Sequence, residues 1–222
     1  MKLSRINYLV VILLFTVCSP KSYQLHINSS YFSSQKKIES QKSNIFSQAN
    51  EDSTIEFSGI YSNKNLFLDK YPVFRLFDEQ SGFFSIPLTD SINCQTDVLI
   101  KIKGKITPVP HRYPMIKKVS YHKHLSAISY EELNNLKNIK KAVNQEYLEI
   151  RKTLQKKITP KESKLQLVST PEWILWYNKS KNILVFASHQ HDLMYAADIE
   201  FIVDVETERI TDVFAREWFK GE

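Results

Sequence analysis

SYEELNNLKNIKKAVNQEYLEIRKTLQKKITP, residues 129–160, is where the chain changes its hydrophobic period. Leu133, Leu136, Val143, Tyr147, Ile150 and Leu154 recur at spacings of three, four or seven, the apolar stripe of an amphipathic helix. Ser129 with Glu132 three positions on reads as a capping box, and Pro160 sets the far limit, so a helix of roughly 28 residues is expected. Glu131 and Glu132 fall in its first turn and Arg151, Lys152, Lys156 and Lys157 in its last turns, which matches the helix dipole. The lysine run therefore has a local explanation and does not indicate a nucleic-acid patch.

On both sides of this segment the period is two. Upstream, TIEFSGIYS (54–62), the hairpin PVFRLFDEQSGFFSIPL (72–88), TDVLIKIKGKITPV (96–109) and MIKKVSYHKHL (115–125) read as five short strands. Gly59 coincides with a phase shift, which suggests a β-bulge. Three of the four glycines, Gly59, Gly82 and Gly104, stand at bends that a small closed barrel requires. Downstream, WILWYNKSKNILVFAS (173–188) and DIEFIVDVETERITDVFAREWF (198–219) read as two hairpins, with Ile199, Phe201, Val203 and Val205 on one face.

The run Val98-x-Ile100-x-Ile102-x-Gly104-x-Ile106, followed by a loop and a last strand, resembles the OB-like domains of exported bacterial proteins. A plain β-sandwich fragment is the alternative. The hairpin Val203-Asp204-Val205-Glu206-Thr207-Glu208-Arg209-Ile210 resembles the turn of small exported PepSY- or cystatin-like domains, with Glu208 in place of their glycine. That resemblance implies binding or inhibition rather than catalysis. The expected fold class is α+β: a small OB-like β-barrel over 54–125, then a long helix packed on a four-stranded antiparallel sheet over 128–222.

The N-terminus carries Lys2 and Arg5, then an apolar run from Tyr8 to Val17. This run fits the ~7–15 residues of a signal h-region and falls short of the ~20 that span a bilayer. Candidate cuts of the ordinary kind abut Pro20 or place Pro20 or Lys21 in the recognition window. Leu14-Phe15-Thr16-Val17-Cys18 instead resembles a relaxed lipobox of the bacterial lipoprotein type, which implies a signal peptide over 1–17 and lipidation at Cys18. Cys94 is then left without a disulfide partner, since the chain has only two cysteines. Residues 18–53, rich in Ser, Gln, Asn and Lys and without periodicity, read as a disordered tether. Loss of Lys2 and Arg5 with the signal lowers the net charge from +6 to +4. The expected location is the cell envelope, at the outer membrane facing periplasm or surface. The expected partners are the membrane, through the lipid, and an envelope protein, with nucleic acid excluded.

Histidine supplies the candidate chemistry. His122 and His124, and His189 and His191, are two H-x-H pairs; on a strand each pair shares a face and offers two imidazoles to zinc or copper. The alternative places both pairs at strand ends or in connections with no metal. Catalytic templates are absent: no nucleophile elbow, no phosphate-cradling glycine loop and no C-x-x-C occurs. Cys94 reads as a partly buried loop thiol, and no catalytic residue is assigned. Trp176 alternates against Trp173, Leu175 and Tyr177, so it stands on the face away from the helix, as a binding anchor or as packing. The leading expectation is a lipid-anchored, non-catalytic binding or structural protein without a cofactor. The alternative is an exported zinc- or copper-binding protein.

Overall fold

The computed structural model of the protein describes residues 23–34, 53–63, 72–78, 82–113, 118–158, 165–192 and 194–219. Cys18 and the signal-like run lie outside the described residues. In chain order the elements are β1 (Gln24–Ile27), α1 (Tyr31–Ser34), β2 (Thr54–Ser62), β3 (Val73–Asp78), β4 (Gly82–Pro87), β5 (Val98–Tyr113) and β6 (Lys118–Asn134). Then come α2 (Lys137–Ile158), β7 (Ile174–Asn178), β8 (Ile183–His191), β9 (Tyr195–Asp204) and β10 (Arg209–Phe219). All ten strands form one mixed sheet in the order β1-β10-β9-β8-β7-β3-β2-β5-β6, with β4 paired to β3 off this path.

This overturns the expected fold class. A separate OB-like barrel followed by a helix on its own four-stranded antiparallel sheet is not what forms. The two halves share strands and share a core. Strand β3 explains why. A strand has two edges, and β4 takes one of them along Val73–Asp78. The other is divided: Val73–Arg75 pair antiparallel with β2, while Leu76 and Phe77 pair parallel with Tyr177 and Asn178 of β7. β3 is also buried on both faces. Leu76 packs among Tyr61, Phe74, Ile100 and Leu125, and Phe77 among Tyr31, Val185 and Ile202. The third cluster crosses the seam too, since Ile60 of β2 and Leu99 of β5 join Val143 and Tyr147 of α2 and Leu184 and Phe201 of the second half. Alternation in a sequence gives the faces of a strand but not the partners of its edges.

Within the first half, β2, β3, β4, β5 and β6 curl until the end of β4 meets β6. Leu88 bridges Leu125 in parallel, and Thr89 N donates to Leu125 O at 3.1 Å. Gly104 sits at this closure, beside a register shift between β5 and β6 at Lys103/Gly104. A Cβ there would stand 2.5 Å from Ser126 O and 2.8 Å from Leu125 Cδ1. Gly59 has a different reason from the expected bulge. Its pairing with β5 runs unbroken, and a Cβ would meet Arg75 O at 2.8 Å and the Phe74 ring at 2.9 Å. Close backbone approach, rather than a bulge, requires glycine there.

The helix begins later than its sequence suggests. Ser129–Asn134 extend β6 instead of capping a helix, and α2 starts at Lys137 with no acid in its first turn. The chain turns at Leu136 (φ 58°); Asn134 Oδ1 accepts from Leu136 N at 2.7 Å and Asn135 Oδ1 from Lys137 N at 3.0 Å. Asparagine side chains thus satisfy the first free amides. Its buried stripe is Ile139, Val143, Tyr147, Ile150, Leu154 and Ile158.

Residues 23–34, expected within a disordered tether, are also built in. β1 adds parallel to β10, from Gln24↔Asp212 to Ile27↔Ala215. Leu25 and Ile27 face the α2 core, and His26 stacks on Phe214 with centroids 4.3 Å apart. Four alternating residues are too short a signal to stand out in a polar stretch.

Gly104→Ala is expected to cost about 1–3 kcal/mol of unfolding free energy, because the clash is with backbone and a packed leucine rather than a flexible side-chain end. Urea titration measures it; an unchanged midpoint would contradict the close approach.

Candidate functional site

The sheet has α2 on one face of β7, β8, β9 and β10. The opposite face is where the candidate site lies. Alternation sends Ile174 and Trp176 of β7, Ala187, His189 and His191 of β8, and Asp198 and Glu200 of β9 to that face. Arg216 and Trp218 of β10 join them. Register aligns these side chains in rows: His189 stands opposite Asp198, and Asp198 opposite Arg216. In the next row His191 stands opposite Ala196, and Ala196 opposite Trp218. The small Ala196 leaves room for rings to meet above it. His189 lies 5.7 Å from His191 and 5.8 Å from Trp218, centroid to centroid.

Asp198 organises this end of the face. Its Oδ1 is 2.7 Å from His189 Nδ1. Its Oδ2 accepts from Arg216 Nε at 2.9 Å and from Trp218 Nε1 at 3.2 Å, with Arg216 Nη2 at 2.8 Å. A carboxylate so occupied fixes the orientation of an imidazole, a guanidinium and an indole at once. Ser188, next to His189 in the chain, does not complete a nucleophilic triad. Its Oγ lies on the α2 side, 3.5 Å from Gln190 Nε2, and Gln190 in turn reaches Tyr147 of the helix.

Beside this polar end lies a groove of about 290 Å³, walled by Phe32, Ile174, Trp176 and Ala187, with His189, Asp198 and Glu200 at its border. Phe32 comes from α1, which crosses this face and packs Tyr31 against Phe77 and Phe214. Glu200 holds α1 there. Its side chain is 2% exposed, and its two oxygens accept from Ser30 Oγ at 2.7 Å and from the Tyr31 amide. Burial pushes the Glu200 carboxyl above its ordinary range, Asp198 adds to the rise, and the hydrogen bonds from Ser30, Tyr31 and Phe32 oppose it. His26 gives a second tie, 2.9 Å from Asp212 through Nε2.

The other sequence candidates fall elsewhere. His124 is buried on β6, with His122 two residues before it on the same strand. β7, β3, β2 and β5 stand between β6 and β8 in the sheet order, and the side chain of His122 lies outside those described. Among the described residues no group of three or more His, Cys, Asp or Glu is placed to hold a metal ion. Trp176 is half-buried in the groove wall, on the face opposite α2. Cys94 is a free, half-buried thiol in the connection before β5, and burial raises its pKa, which keeps it a poor nucleophile. Asp198, Glu200, Arg216 and Phe32 escaped the sequence reading. The signal present was the pair Asp198 and Glu200, polar at alternate positions against Ile199 and Phe201, but nothing in one strand shows what stands across from it.

The raised pKa of Glu200 sets a pH dependence. The folded protein holds this proton more tightly than the unfolded chain does. The contribution is therefore full below the unfolded carboxylate range and is lost as pH rises through the raised folded value. Glu200→Gln, which stays neutral, is expected to flatten the fall in stability over that window. Urea unfolding at a series of pH values measures it, and identical slopes for the two proteins would contradict the buried carboxyl.

No protein-family model matches the chain, and no curated protein matches it. Among solved structures, the chain is similar to the mitochondrial single-stranded DNA binding protein Rim1 of S. cerevisiae, at 9% identity and a TM-score of 0.24. The match covers 38% of this chain and 97% of that one. The expected exclusion of nucleic acid from the partners is withdrawn. A likeness at that score carries no argument that this chain binds DNA.

Proposed function

We propose that the protein is a non-catalytic binding protein of the cell envelope, attached by lipid at Cys18, with its ligand-binding surface at the groove between α1 and the sheet. The observation that carries the binding role is the character of that groove. Its walls are aromatic and aliphatic, and the charged groups at its border are already engaged by their neighbours, Asp198 by His189, Arg216 and Trp218, and Glu200 by Ser30 and Tyr31. Such a border orients an incoming apolar or aromatic group and leaves no activated nucleophile beside it. Trp176 and Phe32 offer the large, rigid contact area typical of binding anchors. Support for the anchor is the position of Cys18 at the end of the apolar run, and the outer membrane is the proposed address.

A second reading has its own observation. His189 and His191 share one face with rings 5.7 Å apart, and Asp198 holds His189 through Nδ1, which leaves Nε2 as the ligating nitrogen. A carboxylate behind a histidine is the common support of a zinc or copper ligand. The metal would sit at this pair alone, without His122 and His124.

Cys18→Ala is expected to move the protein from the detergent phase to the aqueous phase on Triton X-114 separation of expressing cells; unchanged partition would remove the lipid anchor. For the metal reading, zinc and copper titration of the protein by calorimetry should show binding in the micromolar range that His189→Ala and His191→Ala each abolish. Absence of such binding retires it.

A further inference from the structure

The groove opposite α2 has an alanine for its floor. Ala187 of β8 stands in register between Ile174 of β7 and Glu200 of β9. A methyl group between larger side chains leaves a hollow, and Phe32 and Trp176 wall it to a volume of about 290 Å³. A cavity of roughly 150 Å³ accepts a benzene, so this one suits one or two fused rings. Aromatic walls favour a flat aromatic guest, which they meet by stacking or edge to face. β8 sets what lies next to the hollow. Ala187, His189 and His191 follow one another on its outer face at steps of roughly 7 Å.

The carboxylates at the polar end are taken. Asp198 has His189 Nδ1 on one oxygen and Arg216 and Trp218 on the other. Glu200 is buried and accepts from Ser30 and Tyr31. Asp192, just past His191, accepts from the amides of Met194 and Tyr195, and Asp212, farther along the face, is held by His26. The Arg216 guanidinium, 2.8 Å from Asp198, balances that charge. An amine entering here would have to displace a donor already in place, beside a guanidinium. The imidazoles of His189 and His191 are the polar groups that stand toward solvent, the His189 side chain at 44% exposure.

His189 presents a defined atom to a ligand. With Nδ1 on Asp198, its Nε2 is turned away from that carboxylate. A carboxyl group meets Nε2 in either proton arrangement, as a carboxylate accepting from the protonated ring or as a carboxylic acid donating to the neutral one. The His191 ring, 5.7 Å from that of His189, lies on the same face. A carboxyl group has two oxygens, so each imidazole can engage one of them.

We propose that the groove receives a small aromatic carboxylic acid, its rings over Ala187 between Phe32 and Trp176 and its carboxyl group on His189 and His191. The proposal rests on the reading of the groove as the ligand-binding surface, and it adds the class of ligand. Apolar contact with the walls supplies the attraction, and the two imidazoles select for the acid and fix which way round it lies. Here the histidines act without zinc or copper.

The full chain, in EDTA, is titrated by calorimetry with three probes that share one ring system: 2-naphthoate, 2-naphthalenemethanol and 2-naphthylmethylamine. The expected result is that naphthoate binds at least tenfold more tightly than the alcohol, with the amine weaker than both. His189→Gln and His191→Gln are each expected to cut the preference for acid over alcohol to threefold or less while the alcohol binds as before. An unchanged preference in either variant overturns the proposal. Where a glutamine variant loses the alcohol too, His191→Arg decides: a retained preference for the acid supports the proposal, and its absence overturns it. Alcohol or amine binding as tight as naphthoate, lost in Ala187→Val, leaves the groove as a binding surface and overturns the ligand class alone. Naphthoate binding that needs added zinc assigns the histidines to a metal and overturns the proposal. No binding of any probe overturns it together with the groove reading. A monomer–dimer equilibrium abolished by Trp176→Ala, with no probe bound, assigns the groove to a second copy of the chain and overturns it as well.

Discussion

The fold depends on how the edges of β3 are shared. One edge is filled by β4, and the other is divided between an antiparallel neighbour and a parallel one. Among the described residues two pairs join β3 to β7, yet the faces of β3 supply side chains to two hydrophobic clusters. The seam therefore gains its strength from packing more than from its ladder. Arg75 marks the cost of such a position. It is 4% exposed, burial lowers its pKa, and the carboxylates of Asp97 and Glu172 oppose that fall. These acids come from the connection before β5 and the approach to β7, one from each half. The buried guanidinium thus feels a carboxylate from each half at the strand between them.

What the sequence displayed was periodicity, and periodicity is a property of one element at a time. Val143, Tyr147, Ile150 and Leu154 announce their helical stripe because each is buried by the same face. Leu175 and Tyr177 alternate against Ile174 and Trp176 because β7 has a helix on one side and a groove on the other. The start of α2 was less legible. Ser129 and Glu132 satisfy a capping pattern, but β5 offers β6 a ladder as far as Asn134, and the longer pairing wins. Edge partnership was not legible at all. Nothing in VFRLF tells that its fourth and fifth residues pair with a different strand from its first three.

The candidate site shows the same division. Trp176 could be placed on the open face by counting residues. His189 could be paired with His191 by the same count. The organising residue, Asp198, is defined by what lies across from it on β8 and β10, and that depends on register. Glu200 is a sharper case. A charged residue at a strand centre looks solvent-facing in sequence, yet here it is buried because α1 brings backbone amides and Ser30 to meet it. The groove exists through the same segment, since Phe32 forms one of its walls.

β1 has a temporal consequence. His26 meets Asp212 across 186 residues of chain, so this strand can dock only after nearly everything C-terminal to it has been made and paired. Closing so long a loop is entropically slow, and a parallel strand has no hairpin to bring it in. During synthesis Gln24–Ile27 have no partner strand until β10 has emerged. The β1–β10 ladder therefore cannot close before the C-terminal strands exist. Order of emergence thus sets the earliest moment at which this edge of the sheet can be covered.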